Sequence, residues 1–270
     1  MFEAHHETVL ADVGQCIYCG THENLTDEHI IPLALNGNLV IANASCKKCA
    51  KITSAFEEKV LRGFMLDART VGKFKTRRPK QRPKRLKIGR RNAGGDIETV
   101  FVTPENHPGF LVLPRLARAH VFGGNPPLQG VTVEGYETIY FGATPEHAAK
   151  ELDTKTIQFQ VNWDVSSFAR MLAKIAYAYA IGVHGLLPRN KVPILPLILG
   201  TADDASTWLG SAEYILDIEQ KRPIHALATA IGPGQPSGKH GVVARVKLFA
   251  SSGATGYEVL VLGLSLVLIK

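Results

Sequence analysis

Two pairs of cysteines are the first residues whose types and spacing could do chemistry. Cys16-Ile17-Tyr18-Cys19 and Cys46-Lys47-Lys48-Cys49 lie 26 residues apart and account for all four cysteines of the chain. Two C-x-x-C knuckles supply four thiolates, which suits tetrahedral Zn2+. Four sulfur ligands leave no open position. Zinc at Cys16, Cys19, Cys46 and Cys49 is therefore expected to hold the fold and not to react. Two disulfides and a redox pair are the rival readings. A reducing compartment disfavours the first. A redox C-x-x-C normally accompanies a βαβ pattern, which the surrounding sequence lacks.

Between the knuckles runs Asp27-Glu28-His29-Ile30-Ile31-Pro32, followed by Asn43. A carboxylate directly before an imidazole could hold a cation and move a proton, because an unperturbed imidazole titrates near pH ~6.5. Taken alone, Asp27 and Glu28 would read as a solvated acidic pair, and His29 and Asn43 as turn residues. The elements that must position them follow as strand, loop, strand, helix. The helix is read from residue 51 to about 62, with Ile52, Phe56, Val60 and Leu61 inward. Consecutive strand residues point to opposite faces, so Glu28 and His29 can share a site only where the backbone bends.

Residues 14–62 resemble the HNH (ββα-metal) endonuclease family in its four-cysteine zinc subclass. Glu28-His29-Ile30-Ile31-Pro32, Asn43 and the two framing knuckles carry the likeness, which covers under a fifth of the chain. The resemblance implies an α+β chain whose residues 1–72 form a small zinc-stapled nuclease domain. It implies that His29 is the general base, that Glu28 binds a catalytic Mg2+ or Mn2+, and that Asn43 fixes the loop holding the histidine. The implied substrate is DNA, double-stranded, cut to leave a 5′-phosphate and a 3′-hydroxyl, with restriction or phage defence as the setting. One position departs from the pattern. The last motif residue, a second metal ligand, often follows the fourth cysteine, and here that residue is Ala50. Thr53 and Glu57 lie further along the same helix face. Glu57, a hard carboxylate, is the favoured substitute for holding Mg2+. Glu57 and Glu58 would otherwise be an exposed face pairing with Arg62. The alternative is a catalytically inactive zinc module that binds nucleic acid.

The chain has 270 residues with a net charge of +7. Hydrophobic residues make up 45% and charged residues 20%, which excludes global disorder. Residues 73–91 hold eleven Lys or Arg and no Asp or Glu, so all the excess positive charge is local. Residues 73–95 are read as an extended basic linker. Lys75, Arg77, Arg78, Lys80, Arg82, Lys84 and Arg85 would contact phosphates, and Phe74 alone could stack on bases.

Residues 96–270 are read as a larger antiparallel α+β domain. Its expected strands are 98–102, 109–113, 131–133, 138–141, 224–231, 242–249 and 257–269. A helix is expected over 166–183, capped by Ser166 or Ser167. This domain carries no catalytic motif. Target recognition, homodimer formation, or sensing an activating ligand or protein are the roles open to it. Residues 232–239 read as a turn without phosphate-loop spacing. The longest apolar run, 259–269, is too short to span a bilayer and better suits a strand. The first seven residues have no signal-peptide character. A soluble, cytoplasmic protein with no membrane partner is expected.

Overall fold

In the computed structural model, which describes residues 7–212, 224–234 and 239–263, the knuckle region folds as a ribbon and a helix. Strand β2 (Leu25–His29) pairs antiparallel with β3 (Leu39–Cys46), and helix α1 (Lys47–Arg62) follows directly. Strand β1 (Thr8–Asp12) has no counterpart among the expected elements and lies parallel to β3 on its other edge. Helix α1 begins at Lys47, ahead of the expected residue 51. Cys46 is its N-cap, and its sulfur accepts the N–H of Cys49 at 3.5 Å. Phe56, Val60 and Leu61 are buried as the helical spacing requires.

The basic stretch is not an extended linker, which corrects the expectation for 73–95. Phe74 is buried and stacks on Phe249 at a centroid distance of 5.9 Å. After helix α2 (Leu66–Val71), residues Leu86–Arg91 form strand β4, which pairs antiparallel with β5 (Ile97–Val102). The physical reason is alternation within the charge run. Leu86 and Ile88 point inward while Lys87 points to solvent, the two-residue period of a half-buried strand.

The expected strands at 109–113 and 138–141 fall on a hairpin of β6 (Phe110–Leu116) and β7 (Val133–Tyr140), and 131–133 leads into β7. Helix α3 (Pro145–Glu151) and the short β8 (Ile157–Gln158), which pairs with β4, come next. Helix α4 (Val165–His184) precedes two short helices, α5 (Leu195–Leu199) and α6 (Ala205–Trp208). A four-stranded antiparallel sheet completes the fold, with β9 (Leu209–Ser211), β10 (His225–Gly234), β11 (Lys239–Leu248) and β12 (Tyr257–Gly263) in the order β10-β11-β12-β9. The expected strand over 257–269 is seen to residue 263. Residues 264–269, and 235–238 of the expected turn, lie outside the described residues.

Helix α4 differs most from its reading. Apolar positions at helical spacing suggest one buried stripe, but Ala169, Ala173, Ala178 and Ala180 are buried too. A helix covered on all sides belongs in the interior. One continuous apolar core joins Tyr18 and Phe56 of the knuckle region to Phe168 and Tyr177 of α4 and to Tyr257 of β12. The cap is Asp164, whose carboxylate accepts the N–H of Ser167 at 2.8 Å and pairs with Lys59 of α1 at 3.5 Å. No helix among the described residues is long and apolar enough to cross a membrane.

His225 ties β10 to the ribbon. Its Nε2–H donates to the Leu35 carbonyl at 2.6 Å, and its Nδ1 accepts the N–H of Phe249 at 3.2 Å. This pair of bonds requires the neutral ring. Burial pushes its pKa down to about 4, although the Leu35 carbonyl acts the other way. Above pH ~6.5 the ring is neutral in both folded and unfolded chains. As pH falls from ~6.5 toward 4, the unfolded chain takes up the proton first and stability is lost, on the order of 2 kcal/mol by pH ~5 and about 3 kcal/mol by pH ~4. Urea titrations at pH 7 and pH 5 should show this loss, and His225→Gln should shrink the difference.

Candidate active site

The four cysteine sulfurs lie within 4.8 Å of one another, with Cys19 and Cys46 at 3.6 Å. Tetrahedral zinc with Zn–S of ~2.3 Å spaces its sulfurs ~3.8 Å apart, whereas a disulfide needs ~2.05 Å. The thiols are therefore positioned to bind a metal and are not arranged as disulfides. Burial would keep Cys46 protonated. The N–H of Cys49 and the neighbouring thiols outweigh it and lower the pKa to about 7, while burial raises those of Cys19 and Cys49, so the proton shared by the clustered thiols leaves Cys46 first.

The ribbon carries the bend that the Glu28-His29 pair needs. The register of β2 against β3 shifts between Thr26 and Glu28. Opposite it, Asn43 adopts a left-handed backbone with φ of 50°, which asparagine tolerates better than most residues. The Asn43 N–H donates to Asp27 Oδ1 at 3.1 Å, and its side-chain amide donates to both Asp12 carboxylate oxygens at 3.1 Å. Asn43 thus links β1, β2 and β3 from the exposed side and does not line the cleft described next. Its contacts are those of a positioning residue.

Past the bend, Glu28 and His29 line one cleft of about 1250 Å³ with Glu57 of α1. Glu28 is buried and the His29 side chain is 17% exposed. His29 Nε2 lies 3.2 Å from Glu7 Oε1. Ala50 presents its methyl group to the cleft. The Thr53 hydroxyl donates back to the Ala50 carbonyl at 3.2 Å. Glu57 comes closest to the family's missing ligand, because it faces Glu28 across a shared cation.

That cation is a lysine. Lys174 of α4 places Nζ 2.6 Å from Glu28 Oε1 and 3.0 Å from Glu57 Oε1. The same ammonium donates to the main-chain carbonyls of His29 and, at 3.3 Å, of Ile30. Glu57 has its pKa raised by burial, with Lys174 opposing the shift. Burial likewise disfavours charge on Lys174, but Glu28 and Glu57 outweigh it and hold the pKa above the ordinary lysine value. These oxygens are hard donors of the kind Mg2+ or Mn2+ takes. They do not fit such an ion here, because Nζ fills the space between them.

A basic wall of the same cleft includes Arg62, Arg69, Arg77, Arg78 and Arg82. Arg77 and Arg78 are exposed. Arg69 is anchored, donating to Ala34 O at 2.7 Å and Leu61 O at 2.6 Å, and burial lowers its pKa to about 10. Arg82 donates to the Phe74 carbonyl. The other expected phosphate contacts sit elsewhere. Lys80 and Lys84 are exposed away from the cleft, and Lys75, whose main-chain N–H donates to Asn36 Oδ1 at 2.7 Å, does not line it either. Arg85 donates to Phe101 O at 3.0 Å and faces a second cavity of about 770 Å³.

Sequence reasoning missed Glu7, Arg69 and Lys174. Glu7 sits before β1 and Arg69 lies in a short helix without a motif. Lys174 carried a signal, a charge flanked on both sides by the apolar run 171–181 of a largely apolar helix.

Residues 16–64 match the family model of an HNH endonuclease. That segment holds both knuckles, strands β2 and β3 and all of α1, together with Glu28, His29, Asn43 and Glu57. No curated protein and no solved structure matched the chain.

Proposed function

We propose, from the premise that residues 16–64 are an HNH-type module, that the chain is a nuclease that hydrolyses phosphodiester bonds in the cleft between His29 and the basic wall. The observation that supports this reading is the shared cleft, where an imidazole, a bent acidic ribbon and several arginines face one space. Zinc held by Cys16, Cys19, Cys46 and Cys49 keeps the ribbon against α1. The Glu7 carboxylate accepts from Nε2–H of His29, leaving Nδ1 as the unprotonated nitrogen. His29 removes a proton from water, which attacks phosphorus in line as the P–O3′ bond breaks, and the leaving 3′ oxygen takes up a proton from solvent. Arg77 and Arg78 balance the charge that grows on the phosphoryl oxygens. No step runs through a divalent ion, because Glu28 and Glu57 already hold Lys174. The substrate is double-stranded DNA, gripped mainly through its backbone, and the products are a 5′-phosphate and a 3′-hydroxyl.

A second reading has its own support. Ala50 in place of a ligand, and Lys174 between the carboxylates, would also suit a module that binds nucleic acid without cutting it. Incubating the full chain with supercoiled plasmid, in EDTA and in Mg2+ or Mn2+, separates the two. Nicking under any of these conditions supports the nuclease, and binding without nicking supports the second reading. Either way, Arg77→Ala with Arg78→Ala should weaken binding and flatten the dependence of log affinity on log salt by ~2, nearly one unit for each phosphate no longer neutralised. An unchanged slope would remove the two arginines from the interface.

A further inference from the structure

Lys174 lines the cleft, and the proposed reaction gives it no part in the chemistry. Lys174 is 1% exposed and reaches Glu28 Oε1, Glu57 Oε1 and two main-chain carbonyls through a single ammonium. Four oxygens converge on Nζ from the ribbon and from α1, while the lysine itself comes from α4. We infer that Lys174 is the resident cation of the Glu28–Glu57 pair, standing where an HNH-type centre would hold a divalent ion and fixing the main chain at His29.

The chemistry of the surroundings supports this assignment. An ammonium carries three donors; this one donates to the main-chain carbonyls of His29 and Ile30, while its contacts to Glu28 Oε1 at 2.6 Å and Glu57 Oε1 at 3.0 Å are ion pairs, and Glu57 Oε1 has no hydrogen-bond partner among the described residues. Mg2+ instead demands six ligands at ~2.1 Å in octahedral geometry. An ion sharing both facing carboxylate oxygens would have to occupy the volume that Nζ fills. An ion beside it would meet a like charge in a buried setting, where screening is weak.

Lys174 therefore acts as a positioning residue. Its bond to the His29 carbonyl fixes the point where β2 ends, and its charge allows Glu28 and Glu57 to stay side by side in a buried place. The assignment goes beyond the nuclease reading, and ion binding tests it whether or not the cleft cuts.

The test uses the full chain, zinc-loaded, with Mn2+ as the probe and electron paramagnetic resonance counting bound ion. Wild type is expected to bind no Mn2+ that Glu57→Gln removes. Lys174→Ala is expected to gain one Mn2+ per chain, and adding Glu57→Gln to it should abolish that site. The thermal midpoint of Lys174→Ala should fall by on the order of 10 °C, and Mn2+ should restore much of the loss while leaving wild type unmoved. If Lys174→Ala does not fold, Lys174→Met preserves side-chain volume and gives the same readings. A stoichiometric, Glu57-dependent Mn2+ site in wild type would overturn the assignment regardless of how the variants behave. So would a folded Lys174→Ala or Lys174→Met that neither loses stability nor binds Mn2+.

Discussion

Replacing His29 by alanine is expected to lower phosphodiester cleavage roughly 100- to 10,000-fold while leaving nucleic-acid affinity and its salt slope unchanged. The imidazole is the one group in the cleft suited to take a proton from water near neutral pH. The substitution is mild structurally. The side chain is partly exposed, and the contact that fixes this point of the ribbon uses the His29 carbonyl, which alanine keeps. Strand pairing of β2 with β3 is main-chain and survives as well. A single-turnover plasmid nicking assay beside a gel-shift titration separates the two effects. Glu7→Ala, which frees Nε2, should cost about 10-fold, the usual scale for a group that orients an imidazole. Equal nicking by wild type and His29→Ala would remove His29 as the base.

Removing the metal should have the largest effect on the fold. Zinc bound by four thiolates contributes on the order of 10 kcal/mol in small zinc modules, comparable to the whole stability of an ordinary domain. Cys16, Ile17, Tyr18, Cys46 and Cys49 belong to the same apolar core as α4, so the damage would not stay local. Cys49→Ser, or wild type stripped by a chelator, should lose cooperative thermal unfolding across residues well beyond the knuckles. Metal analysis should return one zinc per wild-type chain. A Cys49→Ser protein that melts like wild type and carries no zinc would contradict this.

The parts of the site that sequence reveals are those encoded within short stretches. The knuckles announce themselves by spacing, and thiolate number alone points to the metal. Glu28, His29 and the helix carrying Glu57 sit within one supersecondary unit, so local pattern places them on facing elements. The shared use of Glu28 and His29 demands a bend, and the register shift between Thr26 and Glu28 supplies it. What escapes depends on contacts between distant residues. Lys174 meets His29 across 145 positions of sequence, and no periodicity reports such a meeting. The basic stretch misleads in another way. Charge density argues for an extended chain, while Leu86 and Ile88, the two apolar side chains of β4, are enough to seat it. The antiparallel strands of the larger sheet are legible from β-branched runs, but the central place of α4 is hidden by its alanines, which read as neutral and serve as close-packing surface.

Helix α4 grips the ribbon at two levels. One turn beyond Lys174, the Tyr177 hydroxyl donates to the Ile17 carbonyl of the first knuckle at 2.6 Å. The segment that resembles a nuclease is thus not a detachable cassette. Cut away at residue 72, it would leave two buried carboxylates without a counter-charge and a knuckle without its clasp. The metal-binding end and the body of this chain are therefore expected to fold only together.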